Sequence, residues 1–194
     1  MMGHSMGAVV STQAAARRPE LFRGLVLIDP VFIHPEVISL REQMSPEAIE
    51  EMPLVRKTIT RPNRFPSQQD AFEFHRDKRV FADISDAVMW DYIRAGTRRN
   101  ANGEYELAYC REWEAAAYRT APPVWEELAQ VKLPVLGLRG DTSTTLSEEA
   151  FALWAETQPQ AELHNCSGGH LLPLERPADT ATVVQEFLDA NSGS

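Results

Sequence analysis

The sequence predicts an α/β fold built on a mostly parallel sheet, and three observations carry that expectation. Two short runs, Leu25-Val26-Leu27-Ile28 and Leu133 to Leu138, are continuously apolar, the pattern of strands covered on both faces. Helix-forming stretches accompany them, Ala8 to Arg18 near the start and Thr180 to Leu188 near the end. Between Val31 and Gln130 the pattern changes to helical segments separated by proline- and glycine-containing breaks, as an insertion would. The expected organisation is a core from residues 1–30 and 131–194, interrupted by a helical cap or lid over 31–130.

Taken in order, Gly3-His4-Ser5-Met6-Gly7 comes almost at once, and a helix starts at Ser5 or just after, to be closed by Pro19. Gly24 opens the strand Leu25–Ile28, and Asp29-Pro30 ends it. Within the insertion, Glu47 to Met52, Gln68 to Val80, Asp86 to Ala95 and Glu112 to Tyr118 look helical. Its Phe65, Phe72, Phe74, Phe81, Met89, Trp90, Tyr92 and Trp113 are candidates to line an acyl-binding cavity, although packing is the commoner fate of such side chains. After the strand Leu133–Leu138, Glu162 to Cys166 forms a third strand candidate. It leads into the flexible loop Ser167-Gly168-Gly169-His170, ahead of the closing helix.

A chain of 194 residues with 43% hydrophobic and 24% charged residues suits one globular domain with a sizeable core. The net charge of -9 is spread without an acidic tail, which disfavours nucleic acid or anionic lipid as the main partner. Cys110 and Cys166 fit no metal-ligand spacing and are expected to be two buried, reduced thiols. Neither a membrane span nor a signal peptide is visible, so a cytoplasmic location is expected, and no metal or nucleotide site stands out. No cofactor is implied, and the oligomeric state stays open.

Chemistry concentrates at Gly3 to Gly7, which match G-x-S-x-G. That pattern makes a strained strand-to-helix turn that thrusts the serine hydroxyl into the open and leaves room only for hydrogen at the glycines. The helix N-terminus adds partial positive charge, and the Met6 backbone N–H can donate to an oxyanion. A serine needs a base. His4 lies on the turn itself, where packing or shaping the elbow is its expected role. His34, His75 and His164 lie in insertion or strand contexts. His170 follows two glycines on a bendable loop just after the last strand, so Ser5 is the candidate nucleophile and His170 the candidate general base.

Gly3-His4-Ser5-Met6-Gly7-Ala8, Leu25 to Pro30, and Gly168-Gly169-His170 through Glu175-Arg176-Pro177 together resemble the α/β-hydrolase superfamily. The resemblance covers 3–30 and 131–190, with the middle matching only as a variable cap. It implies the C-terminal part of an α/β-hydrolase fold, strands six to eight, and a triad in the chain order serine, acid, histidine. Two acids fit. Asp29 ends strand six, 24 residues after Ser5, a placement similar to that in acyl-CoA hydrolases of fungal polyketide pathways and related peroxisomal lipases. Asp141 follows strand seven, but the usual Gly-x-x-Asp spacing from Gly140 falls on Ser143, which cannot orient an imidazolium electrostatically. Asp29 is preferred, with Asp141 the alternative.

Serine at the elbow disfavours the epoxide hydrolases and haloalkane dehalogenases that share the fold but carry aspartate there. The resemblance implies hydrolysis of a small-molecule ester or thioester with an apolar acyl group through an acyl-enzyme. It also predicts that most of the sheet's earlier strands are missing, that Leu25–Ile28 stands at an unpaired edge, and that the chain is a fragment or start-site truncation. A catalytically impaired fragment or non-catalytic remnant is the alternative function. A carbon–carbon bond hydrolase or cofactor-free haloperoxidase would share the same triad.

Overall fold

The computed structural model describes residues 1–192, in two compact units: Met1–Ser39 with the chain from Pro123 onward, and Leu40–Pro122. The elements run β1 (Met2–His4), α1 (Met6–Arg17), β2 (Leu25–Ile28), α2 (Pro35–Glu42), α3 (Pro46–Glu50), α4 (Pro53–Thr60), β3 (Arg64–Phe65), α5 (Gln68–Arg76), α6 (Asp86–Gly96), β4 (Thr97–Arg99) and β5 (Tyr105–Leu107). They continue with α7 (Arg111–Thr120), α8 (Trp125–Gln130), β6 (Val135–Gly140), α9 (Glu148–Thr157), β7 (Glu162–Cys166), α10 (Leu172–Glu175) and α11 (Pro177–Asn191). No helix among the described residues is long and apolar enough to cross a membrane.

The first unit is an α/β layer structure on a four-stranded sheet in the order β1-β2-β6-β7, every pair parallel. Its central strands are buried on both faces, and apart from Arg139 near the end of β6 they carry no polar side chain. Leu25, Leu27 and Val135 join Ala8, Val9, Leu128 and Trp154 in one cluster, while Val26, Ile28, Leu136 and Leu138 join Leu172, Val184 and Phe187 in another. Each fully buried Val, Leu, Ile or Phe among them stabilises the fold by about 1.5–3 kcal/mol relative to exposure. Residues that the sequence places in the insertion, Phe32, Val124 and Leu128, belong to the first of these clusters.

One expectation about the sheet is corrected. β2 is no edge: Met2–His4 pairs with it in parallel, with Gly3 opposite Leu27, which makes four strands among the described residues. The pairing extends to Met1, whose N donates to Gly24 O at 2.8 Å and whose O accepts from Val26 N–H at 2.9 Å. A cavity of about 340 Å³ lies against this edge, lined by Met1, Met2, Val26 and Phe187 among others, and Ser5, Asp29 and His170 are absent from its walls.

The second unit is not purely helical as the sequence suggests. Besides α3–α7 it holds a three-stranded antiparallel sheet in the order β3-β5-β4, whose hairpin turns at Asn100–Gly103 with Gly103 at φ 86°. α5 stops at Arg76 instead of continuing to Val80, since the Arg76 guanidinium donates to Phe81 O and Ile84 O, 2.8 Å each, and holds the chain in a turn. Most of the aromatics expected around an acyl cavity pack on one another. Phe72 stacks on Trp90 at 4.6 Å, and Phe65, Phe74, Phe81 and Tyr92 surround the buried His75. Trp113 is 79% exposed and lines nothing in that cluster. The thiols also differ from expectation: Cys110 is exposed and Cys166 half-buried, both free.

Candidate active site

Ser5 is the single residue between β1 and α1, and its backbone is held at φ 56°, ψ −124°. A non-glycine residue there costs about 1–3 kcal/mol, which the surrounding hydrogen bonds must offset. Ser5 N–H donates to Ile28 O at 3.0 Å, and Ser5 O accepts from Ala8 N–H at 3.1 Å. The strand and helix approach so closely that a Cβ on Gly3 would lie 2.4 Å from Gly7 O. The same was expected of Gly7, but a Cβ there would meet nothing within 4 Å, so only the first glycine of the pattern is sterically required.

β2 delivers Asp29 at the next strand end, also with positive φ, 39°. Its carboxylate is fully buried, and three donors satisfy it. Gly140 N–H binds Oδ1 at 2.9 Å, while the Ser143 hydroxyl and His170 Nδ1–H both bind Oδ2, at 2.6 and 2.7 Å. His170 Nε2 in turn accepts from Ser5 Oγ at 2.9 Å. The structure thus brings Ser5, His170 and Asp29 into one chain of hydrogen bonds, although 165 residues separate the first two in sequence.

Asp141 is placed elsewhere. It is exposed, and its Oδ1 accepts from Gly168 N–H at 3.0 Å, so it holds the glycine loop rather than the imidazole. Glu175, to which the sequence assigned no task, fixes that loop from the other side. It accepts from Gly169 N–H and, at 3.1 Å, from Leu171 N–H. Close approach does the rest: a Cβ on Gly140 would sit 2.3 Å from Gly169 O.

His4 does more than pack. Its Nε2–H donates to His170 O at 2.6 Å, and the two rings lie 4.9 Å apart. Burial lowers its pKa, and the neighbouring His170 acts in the same direction, while the carbonyl bond to His170 opposes. A neutral His4 is the form this geometry favours. The remaining histidines take no part: His164 pairs with Glu162 at 2.8 Å, and His34 accepts from Glu36 N–H at 3.4 Å.

Met6 opens α1, and no side chain caps that helix. The N–H groups of a first helical turn have no intrahelical partner, so the Met6 N–H stands as a donor at the elbow, reinforced by the helix dipole.

A parallel sheet flanked by helices, with a serine on a strand-to-helix elbow and a histidine and aspartate from later strand ends, defines the α/β-hydrolase class. Residues 1–183 match the Alpha/beta hydrolase family, and the chain belongs to it. Lipase LipV of Mycobacterium tuberculosis is 25% identical over 97% of this chain and 67% of the lipase. Among solved structures, E-2-(acetamidomethylene)succinate hydrolase superposes with a TM-score of 0.77 at 23% identity, over 97% of this chain and 65% of that one. A thioesterase domain from the curacin biosynthetic pathway gives 0.69 at 20% identity, over 95% and 65%. The chain thus spans about 65% of the length of these solved relatives.

Proposed function

We propose that this protein is a serine hydrolase that cleaves an ester or thioester through an acyl-enzyme intermediate. The observation that carries this reading is the continuous hydrogen-bond path from Ser5 Oγ through both ring nitrogens of His170 to buried Asp29. The lipase and the thioesterase domain to which the chain is similar supply context.

In this mechanism Ser5 Oγ attacks the acyl carbonyl carbon while its proton passes to His170 Nε2. The imidazolium so formed keeps its Nδ1–H on Asp29, which holds the tautomer and offsets the positive charge. The carbonyl's electron pair moves onto oxygen, and the Met6 N–H donates a hydrogen bond to the oxyanion so formed; one such donor is worth about 10²–10³ in rate. Collapse expels the alcohol or thiol with the proton from His170. Water, deprotonated by the same nitrogen, then attacks the acyl-enzyme and releases the acid and Ser5.

A fluorophosphonate probe tests the reading. Wild-type protein is expected to be labelled on Ser5, and Ser5→Ala to lose labelling along with at least about 10⁴-fold of ester turnover. Folded wild-type protein that takes up no probe would overturn it in favour of a non-catalytic remnant.

A further inference from the structure

Ser143 lies in the turn after β6 and is 7% exposed. Its hydroxyl is fixed from both sides. The oxygen accepts from Thr145 N–H at 3.1 Å, and Ser143 N–H donates to Gly140 O at 2.9 Å, which closes the turn. With its oxygen accepting a hydrogen bond from the backbone, the hydroxyl hydrogen is directed to Asp29 Oδ2, 2.6 Å away, since a carboxylate accepts.

Asp29 is therefore held at both oxygens by groups on and just after β6: Gly140 N–H on Oδ1 and the Ser143 hydroxyl on Oδ2. His170 Nδ1–H shares that second oxygen at 2.7 Å. Without the hydroxyl, one backbone bond and the imidazole alone would define the carboxylate plane, and rotation about the terminal torsion of Asp29 would swing Oδ2 away from the ring. Terminal sp³–sp² torsions are broad, so this restraint must come from partners.

We propose that Ser143 is a positioning residue that acts through Asp29: its hydroxyl locks the carboxylate rotamer that orients His170 toward Ser5. The inference rests on the hydrolase reading above.

The test compares Ser143→Ala, Ser143→Thr and Asp29→Asn with Asp29→Asn/Ser143→Ala, measuring kcat and KM on an activated ester together with thermal midpoints. Ser143→Ala is expected to lower kcat about ten-fold with KM unchanged, less than the roughly 10²-fold that a full 1 Å misplacement can cost. Ser143→Thr, which keeps the hydroxyl, restores the rate. In the Asp29→Asn background the alanine change costs nothing further, because the two groups act as one unit. A Ser143→Ala enzyme within two-fold of wild type, a loss confined to KM, absence of rescue by threonine, or an additive loss in the double variant would each overturn the proposal. If Ser143→Ala fails to fold, Ser143→Cys, of similar volume but a weak donor, decides on the same criteria. An inactive, unlabelled wild type would instead refute the hydrolase reading itself, so the two failures are distinguishable.

Discussion

The two compact units solve the same problem, holding polar groups in a small core, with different chemistry. The sheet unit packs aliphatic side chains on both faces of its central strands, and the buried Asp29 and Ser143 meet His170 at the strand ends. The Leu40–Pro122 unit is instead tied by guanidinium pairs and rings. Arg61 pairs in a fork with Glu114, Tyr118 donates to the same carboxylate at 3.0 Å, and Arg61 lies over the Tyr109 ring at 5.4 Å. In the first unit the loss of one of these contacts falls on the proposed catalytic chain of hydrogen bonds; in the second it falls on packing. That difference teaches where each kind of substitution will be felt.

The largest expected effect tests the strand-end network directly. Asp29→Asn removes the buried anion that holds the imidazole tautomer, and turnover should drop about 10⁴-fold with the fold intact. Asp141→Asn, whose amide oxygen can still accept from Gly168 N–H, should stay within a few-fold of wild type. Steady-state ester hydrolysis by both variants checks the pair. A large loss only in Asp141→Asn would place the orienting acid on the other strand.

The same contrast explains what the sequence made legible. Leu25–Ile28 stands out because β2 is buried on both faces, so period-two alternation is replaced by a continuous apolar run. Ser5 and His170 are named by a tight motif and a glycine loop, both local signals, whereas the choice of Asp29 over Asp141 came from the family resemblance; in the structure His170 hydrogen-bonds both Ser5 and Asp29. The small sheet of the second unit carries no such signal: its strands are two or three residues long, shorter than a hydrophobic period can register. Asn102-Gly103 between Thr97–Arg99 and Tyr105–Leu107 was the one available sign of a hairpin. The donor roles of His4 and Ser143 were illegible for another reason. Each depends on which groups other strand ends bring alongside, His170 O for one and Asp29 Oδ2 for the other.

A mid-sized effect should come from backbone approach rather than chemistry. Gly140→Ala would push a Cβ to 2.3 Å from Gly169 O and 2.6 Å from Gly168 O, both main-chain atoms that cannot swing aside. The glycine loop must move, taking His170 with it. We expect a loss of about 1–3 kcal/mol in stability, as for other overpacked sites, together with reduced turnover. Denaturant unfolding and ester hydrolysis measure the two parts. Gly7→Ala, where a Cβ meets nothing within 4 Å, is the matched control and should leave stability within about 0.5 kcal/mol.

The smallest effect separates the units by pH. Each contains a histidine whose pKa burial lowers from the ordinary 6.5: His4 at the strand end, and His75 among rings, where Arg61 and Lys78 add to the lowering. Below pH 6.5 the unfolded chain takes up protons that these folded sites refuse, so stability contributed by their neutral forms is full above that value and declines as pH falls. Once the pH passes below the folded-state pKa, both states are protonated and the decline stops. The slope is at most about 1.4 kcal/mol per pH unit for each group. His75→Phe, which keeps a ring against Phe65 and Phe81, should flatten part of the acid limb of the melting curve without touching turnover. His4→Gln, which keeps an amide donor near His170 O, should flatten another part and also change the rate. If His75→Phe altered turnover as much as His4→Gln, the division between a reacting unit and a packing unit would fail.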